Sequence, residues 1–322
     1  MSIEGCTIAV TGSTGFIGRA LCGALVARGA RVRALVRYRS EVPGEFQFDL
    51  SQSNLDPRAL QGAVRAVIHC AWDMSATDSQ HARGINAEGT QWLIEQCQRA
   101  GVEQFVFISS MASHAQARSA YGMAKWECEN RLLGVANATS FATIIAPGTV
   151  IGNGGLFARA RQLIGKLPVV PVFYALGKRR IQTVHIDDLC EAVIAGIDRR
   201  VTGRLNIADR WGVSPMDFYR GLAMLEGKRP LLIPFPGDVA LLGVRGLEAM
   251  GLHPAISSNN LLGIKMLRYF EPRPSLLKLG LATLPDYWRS LRRLAESEGK
   301  QQIAARFERM FTREEPIGLD VS

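Results

Sequence analysis

Residues 11–18 read Thr-Gly-Ser-Thr-Gly-Phe-Ile-Gly and lie between a short apolar run, residues 6–10, and a helical pattern that ends at Gly29. The order strand, turn, helix gives each glycine a separate task. Gly12 allows a tight turn, Gly15 lets the backbone approach a ligand, and Gly18 allows the helix to pack closely. The N–H groups of such a turn and the positive end of the following helix bind phosphate. The stretch therefore predicts a turn that holds the pyrophosphate of a dinucleotide.

Strand and helix patterns alternate on the C-terminal side of this turn. Strands are predicted at residues 32–36, 46–50, 63–71, 105–109 and 142–146, and helices near residues 56–57, 85–100 and 121–133. This order is typical of an α/β fold, a doubly wound parallel Rossmann sheet with a smaller, mainly helical C-terminal substrate domain. We place the Rossmann domain at residues 1–208, with an excursion near 153–180 where the pattern loosens, and the smaller domain at 209–322.

The second strand indicates which dinucleotide binds. An acidic residue about twenty positions after the glycine turn holds the adenosine ribose of NAD. This chain has Arg37 there, with Arg39 nearby. A guanidinium group binds a 2′-phosphate, so the sequence favours NADP(H) over NAD(H). Asp49, which ends the third strand, is placed to meet the adenine edge.

Tyr121 and Lys125 are four residues apart and therefore lie on one face of a helix. A nearby cation stabilises tyrosinate, so the pair can exchange a proton with a substrate. Ser109 and Ser110 end the preceding strand, and either hydroxyl can hydrogen-bond a substrate carbonyl or serve as a turn or cap.

These motifs, together with residues 67–71 (Val-Ile-His-Cys-Ala), Gly89-Thr90 and Pro147-Gly148, make the chain resemble the extended short-chain dehydrogenases/reductases, the NAD-dependent epimerase/dehydratase family, over roughly residues 5–210. The resemblance implies that Ser110 is the catalytic serine, Tyr121 the acid/base and Lys125 its helper. It also implies a set of cofactor-lining residues, namely Gly12, Thr14, Gly15, Phe16, Ile17, Gly18, Arg37, Asp49, Leu50, Cys70, Ala71, Asn86, Tyr121, Lys125 and Pro147. Trp72 and Ala146 differ from the family's usual residues at their positions.

The resemblance implies hydride transfer to or from a hydroxyl or keto carbon, with a nucleotide sugar as the first expectation for the substrate. An alternative is an NADPH-dependent ketone reductase for an apolar substrate, like the dihydroflavonol reductases or 3β-hydroxysteroid dehydrogenases, if the Met- and Leu-rich C-terminal part forms an apolar pocket. A third alternative is a non-catalytic NADP(H)-binding sensor or assembly subunit, because residues 178–188 also resemble accessory subunits of respiratory complex I. The presence of Ser110, Tyr121 and Lys125 together favours an enzyme.

Composition limits the other classes of function. The 322 residues are 47% hydrophobic and carry a formal net charge of +9, which suits a diphosphate-bearing substrate. No apolar run reaches the roughly 20 residues of a spanning helix, and no secretory signal is visible, so we expect a cytoplasmic protein. The six cysteines are scattered, and the histidines lack partners at metal spacing, so we expect no metal site. We expect a small-molecule substrate and no nucleic acid partner, and a homodimer is possible.

Asp188 and Glu191 are three residues apart, which is the spacing of a capping box at the start of a helix.

Overall fold

Strands make up the centre of the protein. The computed structural model describes residues 2–40, 42–73, 83–135, 141–174, 180–252, 257–266 and 268–310. Its strands are β1 (Thr7–Thr11), β2 (Arg31–Val36), β3 (Glu45–Asp49), β4 (Asn54–Leu55), β5 (Val64–His69), β6 (Gln104–Ile108), β7 (Ala142–Pro147), β8 (Thr149–Ile151), β9 (Val169–Tyr174), β10 (Thr183–His185), β11 (Gly203–Ile207) and β12 (Leu231–Pro236). Eight of them form one sheet in the order β11–β7–β6–β5–β1–β2–β3–β4. All neighbours in this sheet run parallel except β3 and β4.

Helices connect these strands and continue into the C-terminal third. They are α1 (Phe16–Ala27), α2 (Gly89–Arg99), α3 (Ala120–Leu133), α4 (Gly155–Lys166), α5 (Ile186–Asp198), α6 (Pro215–Leu225), α7 (Gly237–Ala249), α8 (Ser258–Lys265), α9 (Arg273–Leu279), α10 (Tyr287–Ser297) and α11 (Gln301–Glu308). A π-helical turn (Arg83–Glu88) precedes α2, and the helix predicted near residue 56 is a single 3-10 turn (Pro57–Leu60). Among the described residues, no helix combines the length and the apolar character needed to cross a bilayer.

The central strands are buried because helices cover both faces of the sheet. Every residue of β1, β5, β6 and β7 is buried. On one face α1, α5 and α9 pack through residues such as Leu21, Val193 and Leu276. On the other face α2 and α3 pack through Leu93 and Leu132. Parallel strands buried on both faces are the mark of a doubly wound sheet, so the predicted Rossmann fold is confirmed.

The direction in which the chain builds the sheet reverses at β1. Strands β2 and β3 follow on one side of β1, whereas β5, β6 and β7 follow on the other. The two connections leave the sheet in opposite directions and open a crevice at the carboxyl ends of β1 and β5. Ligands of doubly wound folds bind in this crevice.

A third core lies beyond the sheet and joins two distant parts of the chain. Ile151, Phe157 and Val170 pack there with Leu222 and Leu291. The segment that the sequence suggested was loose therefore contains α4 and β9. Helix α9 returns to the large sheet instead, since its Leu276 and Leu279 belong to the sheet core.

The predicted capping box at Asp188 and Glu191 is wrong. Helix α5 begins after His185, whose side chain accepts a hydrogen bond from the N–H of Asp187. Asp188 instead forms an ion pair with Arg293 at 2.7 Å. The strand ends at His185, earlier than a capping box at Asp188 requires, so Asp188 already lies within the first helical turn.

Candidate active site

The glycine turn between β1 and α1 is closely packed. Gly12 has a φ of +61°, in the left-handed region that favours glycine, and a Cβ there would lie 2.8 Å from the backbone nitrogen of Ala71. A Cβ on Gly18 would lie 2.2 Å from the carbonyl oxygen of Gly12. Neither position accepts a side chain without moving the turn. The end of β5 and the start of α1 therefore approach the turn as closely as the sequence predicted.

The amino end of α1 is free to bind an anion. No side chain caps this end at Gly15, and the first helical turn contains no acidic residue. The unpaired N–H groups and the helix dipole both favour a negatively charged ligand. Thr14 and Gly15 are exposed, while Phe16 and Ile17 are half-buried. The turn thus fits the pyrophosphate of a dinucleotide.

A buried network missed at the sequence level holds the strand ends beside this turn. The Thr11 hydroxyl lies 2.7 Å from His69 Nδ1, and His69 Nε2 lies 3.0 Å from the hydroxyl of Thr90. The same Thr11 oxygen accepts hydrogen bonds from the N–H groups of Cys70 and Ala71, both at 3.1 Å. Burial lowers the pKa of His69 to about 3, so this ring is neutral at pH 7. The polar residues that end β1 and β5 were the available signal.

The residues predicted to meet the adenosine lie together at the ends of β2 and β3. Arg37 Nε is 3.9 Å from Asp49 Oδ1, and the Arg37 side chain is 50% exposed. Asp49 Oδ1 also accepts hydrogen bonds from the N–H and hydroxyl of Ser51. Leu50 is buried and packs on Gly89. Arg37 is therefore loosely paired and accessible to a ligand.

The other predicted cofactor residues lie at the carboxyl ends of β5 and β7. Cys70 and Ala71 follow β5 and are half-buried, and Pro147 ends β7 and is buried. Asn86 is fully buried, and its side-chain amide bonds the backbone of Asp73 through 2.7 and 3.1 Å hydrogen bonds. Asn86 therefore fixes the chain that follows β5, and that chain borders the crevice.

The structure brings Ser110 and Tyr121 together. Tyr121 is in the first turn of α3 and is hydrogen-bonded to the side chain of Ser110, just after β6. Burial raises the pKa of the Tyr121 phenol above its usual value, and the hydrogen bond with Ser110 opposes part of that rise. Ser109 faces elsewhere, since its hydroxyl hydrogen-bonds the buried carboxylate of Glu129. Ser110 is thus the serine that can hydrogen-bond the same substrate oxygen as Tyr121.

Lys125 lies one helical turn after Tyr121 and is almost completely buried. Its Nζ donates a 2.7 Å hydrogen bond to the carbonyl of Ile108. The same Nζ lies 3.7 Å from the ring centroid of Trp72, 4.6 Å from that of Phe107 and 6.0 Å from that of Tyr121. Burial lowers the pKa of Lys125 from 10.5 to about 8. The group therefore carries its proton at pH 7 and loses it at mildly alkaline pH.

Trp72, which differs from the family's usual residue at its position, is one of the aromatic residues around Lys125. Its ring meets that of Tyr121 edge to face, with the centroids 5.8 Å apart. The face of an indole ring attracts an ammonium group electrostatically, and the attraction increases when water is excluded. Trp72 therefore helps to keep the Lys125 side chain under the Tyr121 ring.

An ion pair that the sequence did not predict supports the loop that carries Ser110. Arg204 Nε donates to Glu129 Oε2 at 3.0 Å, and a terminal nitrogen of Arg204 donates to the carbonyl of Ser113 at 3.0 Å. Glu129 is fully buried in α3, and Arg204 belongs to β11. The pair connects the edge strand of the sheet to the helix and loop that hold the candidate catalytic groups.

Comparisons with known proteins agree with this geometry. A family model described as the NAD dependent epimerase/dehydratase family matches residues 8–208. The chain is 30% identical over 242 residues to a ceramide reductase of Caulobacter vibrioides, covering 71% of this chain and 73% of that protein. It is 26% identical over 259 residues to a UDP-glucose 4-epimerase of Vibrio cholerae, covering 71% and 79%.

One solved structure shows the same fold with a cofactor present. A human epimerase family protein crystallised with NADPH superposes with a TM-score of 0.69 at 21% identity, covering 90% of this chain and 99% of that one. The similarity therefore extends through the C-terminal third as well as the Rossmann half.

Proposed function

We propose, from the premise that this chain belongs to the NAD-dependent epimerase/dehydratase family, that it transfers a hydride between NADP(H) and a keto or hydroxyl carbon of an apolar substrate. Membership of the family makes the chain an NAD(P)-dependent oxidoreductase or epimerase. The substrate class, the form of the cofactor and the roles of individual residues are the proposed part.

When bound, NADP(H) supplies a hydride at C4 of its nicotinamide. In the reductive direction Tyr121 gives its phenolic proton to the substrate oxygen, on which negative charge develops. Ser110 donates a hydrogen bond to the same oxygen and thereby polarises the carbonyl. The Lys125 ammonium group, held under the tyrosine ring, stabilises the phenolate that remains.

The observation that carries the substrate class is the apolar helix pair beside the Tyr121 helix. Helix α8 lies against the start of α3, where Asn259 Oδ1 accepts a 3.4 Å hydrogen bond from the N–H of Ala120. Helices α7 and α8 pack together through Leu241 and Leu261. Leu242 and Met250 of this pair are 72% and 69% exposed. An apolar substrate can contact such a surface while its reactive carbon reaches Tyr121.

A nucleotide sugar is the second candidate substrate. The formal net charge of +9 and the similarity to a UDP-glucose 4-epimerase favour it. The +9 charge attracts any anion. The exposed leucine and methionine side chains, in contrast, offer a sugar diphosphate nothing to bind, so we rank this substrate second.

The substrate test uses purified protein, NADPH and two panels of compounds. One panel contains long-chain 3-oxo esters and other aliphatic ketones, and the other contains UDP- and dTDP-sugars. We expect NADPH oxidation with the ketones and no change in the sugars. Epimerised or dehydrated sugar, with no NADPH consumed in the ketone panel, would establish the second candidate instead.

The proposed preference for NADP(H) predicts a selective defect in Arg37→Ala. Removing a charge-assisted hydrogen bond costs about 1.5–3 kcal/mol, so NADPH binding should weaken roughly 10- to 100-fold while NADH binding stays unchanged. Fluorescence titration of both cofactors measures this. Arg31→Ala is the matched control, because Arg31 is exposed at the opposite end of β2. Equal losses for both cofactors would show that Arg37 does not bind the 2′-phosphate.

A further inference from the structure

The outer face of a small second sheet is entirely apolar. Strands β9 and β12 pair in parallel, with Val169 opposite Leu231 and Phe173 opposite Phe235. Because side chains alternate along a strand, these residues point to the same side as the residues two positions away. The edge-to-face contact of the Phe173 and Phe235 rings, at 6.3 Å, agrees with this. The outer face therefore displays six apolar residues: Val169, Pro171, Phe173, Leu231, Ile233 and Phe235.

The two faces of this sheet differ in burial. On the inner face Val170 and Val172 are 3% and 2% exposed, and Val170 packs into the third core. On the outer face Leu231 is 61% exposed, and Ile233 and Phe235 are 42% and 37% exposed. Phe173 on this face packs against Leu241 and Leu261, so the helices cover that end of the face and leave Leu231 and Ile233 open. Exposed apolar groups in a contiguous patch mark a binding surface.

Helix α7 follows β12 directly and extends the same apolar surface. Its buried side packs through Ala240 and Leu241. Its other side carries Val239 and Leu242, and Met250 follows directly at its carboxyl end, all three exposed. At about 100° per residue these positions share one face, and glycines 243 and 246 complete it without a charge. An exposed apolar side on a helix whose opposite side is already packed marks an interaction surface. We call the outer face of β9–β12 together with this side of α7 the apolar face.

Basic residues lie at the edge of the apolar face. Lys228 and Arg229 immediately precede β12, and with Arg306 and Arg309 they line a cleft of about 500 Å³. No carboxylate among the described residues pairs with Lys228, Arg229 or Arg306. Glu226, the nearest acid in the sequence, is already paired with Arg161 at 2.7 Å. The cleft is therefore cationic and can hold an anionic group.

We propose that the apolar face docks this protein on a lipid bilayer that contains anionic headgroups. The leucine, isoleucine and phenylalanine side chains enter the boundary between headgroups and acyl chains, while Lys228, Arg229 and Arg306 bind the phosphates. Exposed apolar groups with lysine and arginine beside them are the combination that surface-bound proteins use. A second copy of the chain would bring the same positive charges to the edge of the face, so it is the weaker occupant.

Docking also fits the position of the candidate active site, and it rests on the proposed function where it uses Leu242 and Met250, which that function also assigns to the substrate. Helix α8 connects α7 to the start of α3, so the apolar face is continuous with the helices beside Tyr121. A substrate dissolved in the bilayer would then reach the site without crossing water.

The test is flotation of the full-length protein with two kinds of vesicle, phosphatidylcholine alone and phosphatidylcholine with phosphatidylglycerol. We expect the protein to float with the anionic vesicles and to bind at least tenfold less in high salt. Leu242→Glu should abolish flotation, and the double variant Lys228→Glu and Arg229→Glu should lose the preference for anionic lipid. Leu277→Glu is the matched control, because Leu277 is 65% exposed on α9, whose buried side packs into the core of the large sheet.

Three results would overturn the proposal. In the first, the wild type floats with neither vesicle; in the second, Leu242→Glu and Leu277→Glu float equally. In the third, sedimentation would show a dimer that Leu242→Glu converts to a monomer without any vesicle binding, which would make the apolar face a dimer interface. Turnover of a short water-soluble ketone is measured separately without lipid, so failure of docking and failure of the proposed reaction are distinguishable.

Discussion

Replacing Tyr121 by phenylalanine is expected to lower kcat about a thousandfold while leaving the Kd for NADPH unchanged. The substitution removes only the phenolic oxygen, which is the proposed proton donor. The ring remains in contact with Trp72, and the Ser110 hydroxyl still accepts a hydrogen bond from the N–H of Ala112 at 3.1 Å. The site should therefore keep its shape. Single-turnover oxidation of bound NADPH, measured with a ketone from the substrate panel, gives the rate.

The matched control for this variant is Tyr219→Phe. Tyr219 is a half-buried phenol on α6 that packs against the third core, and burial raises its pKa as it does for Tyr121. We expect this variant to turn over at the wild-type rate. Equal activity of both variants would remove Tyr121 from the reaction, whereas equal loss in both would indicate a general effect of removing a phenol.

The second large effect is expected for Gly18→Ala, which should weaken NADPH binding roughly 10- to 100-fold. An added methyl group would lie 2.2 Å from the carbonyl oxygen of Gly12, and the backbone of Gly12 and Ser13 leaves it no room. Accommodating extra atoms in a packed region costs about 1–3 kcal/mol, here by moving the turn that holds the pyrophosphate. Isothermal titration with NADPH measures the change.

Gly23→Ala is the control within the same helix. Gly23 also lies in α1, but a Cβ there meets no atom within 4 Å. This variant should therefore bind NADPH as the wild type does. Alanine stabilises a helix interior by about 1 kcal/mol relative to glycine, so its melting temperature should be slightly higher. If Gly18→Ala bound NADPH as well as Gly23→Ala does, the turn would not be the pyrophosphate site.

The Rossmann half could be predicted because its signals are local. The glycine turn, the buried apolar strands and the glycine that ends α1 each lie within a few residues of the structure they specify. Parallel strands align their carboxyl ends at one edge, so the positions of Ser110, Arg37 and Asp49 near the crevice followed from strand order alone. Tyr121 and Lys125 could be paired because helix geometry fixes a four-residue interval.

The contacts that were missed join residues far apart in the sequence. Glu129 and Arg204 form an ion pair across 75 positions, and nothing near either residue indicates the other. Strands β9 and β12 contain Pro171 and Pro234, which sequence rules exclude from a central strand. They are tolerated here because a sheet of two strands has only edge strands. Long-range pairing decided these elements, and no local pattern records it.

Trp72 shows a further limit of sequence reasoning. Its departure from the family pattern was visible, but its contact with the Lys125 ammonium group depends on how β5 and α3 meet in space. The pattern indicated that a large side chain lies near the site. Only the packed structure shows that this side chain positions a candidate catalytic group.

The central claim is that the Tyr121 phenol faces the nicotinamide of a cofactor held on the turn at residues 11–18. The most direct test is a crystal structure of the complex with NADPH, in which the distance from Tyr121 Oη to nicotinamide C4 is measured. We predict about 5 Å or less, which leaves room for a substrate carbonyl within hydrogen-bond reach of the phenol. A distance above about 10 Å, too long for proton transfer to the same substrate, would contradict the account.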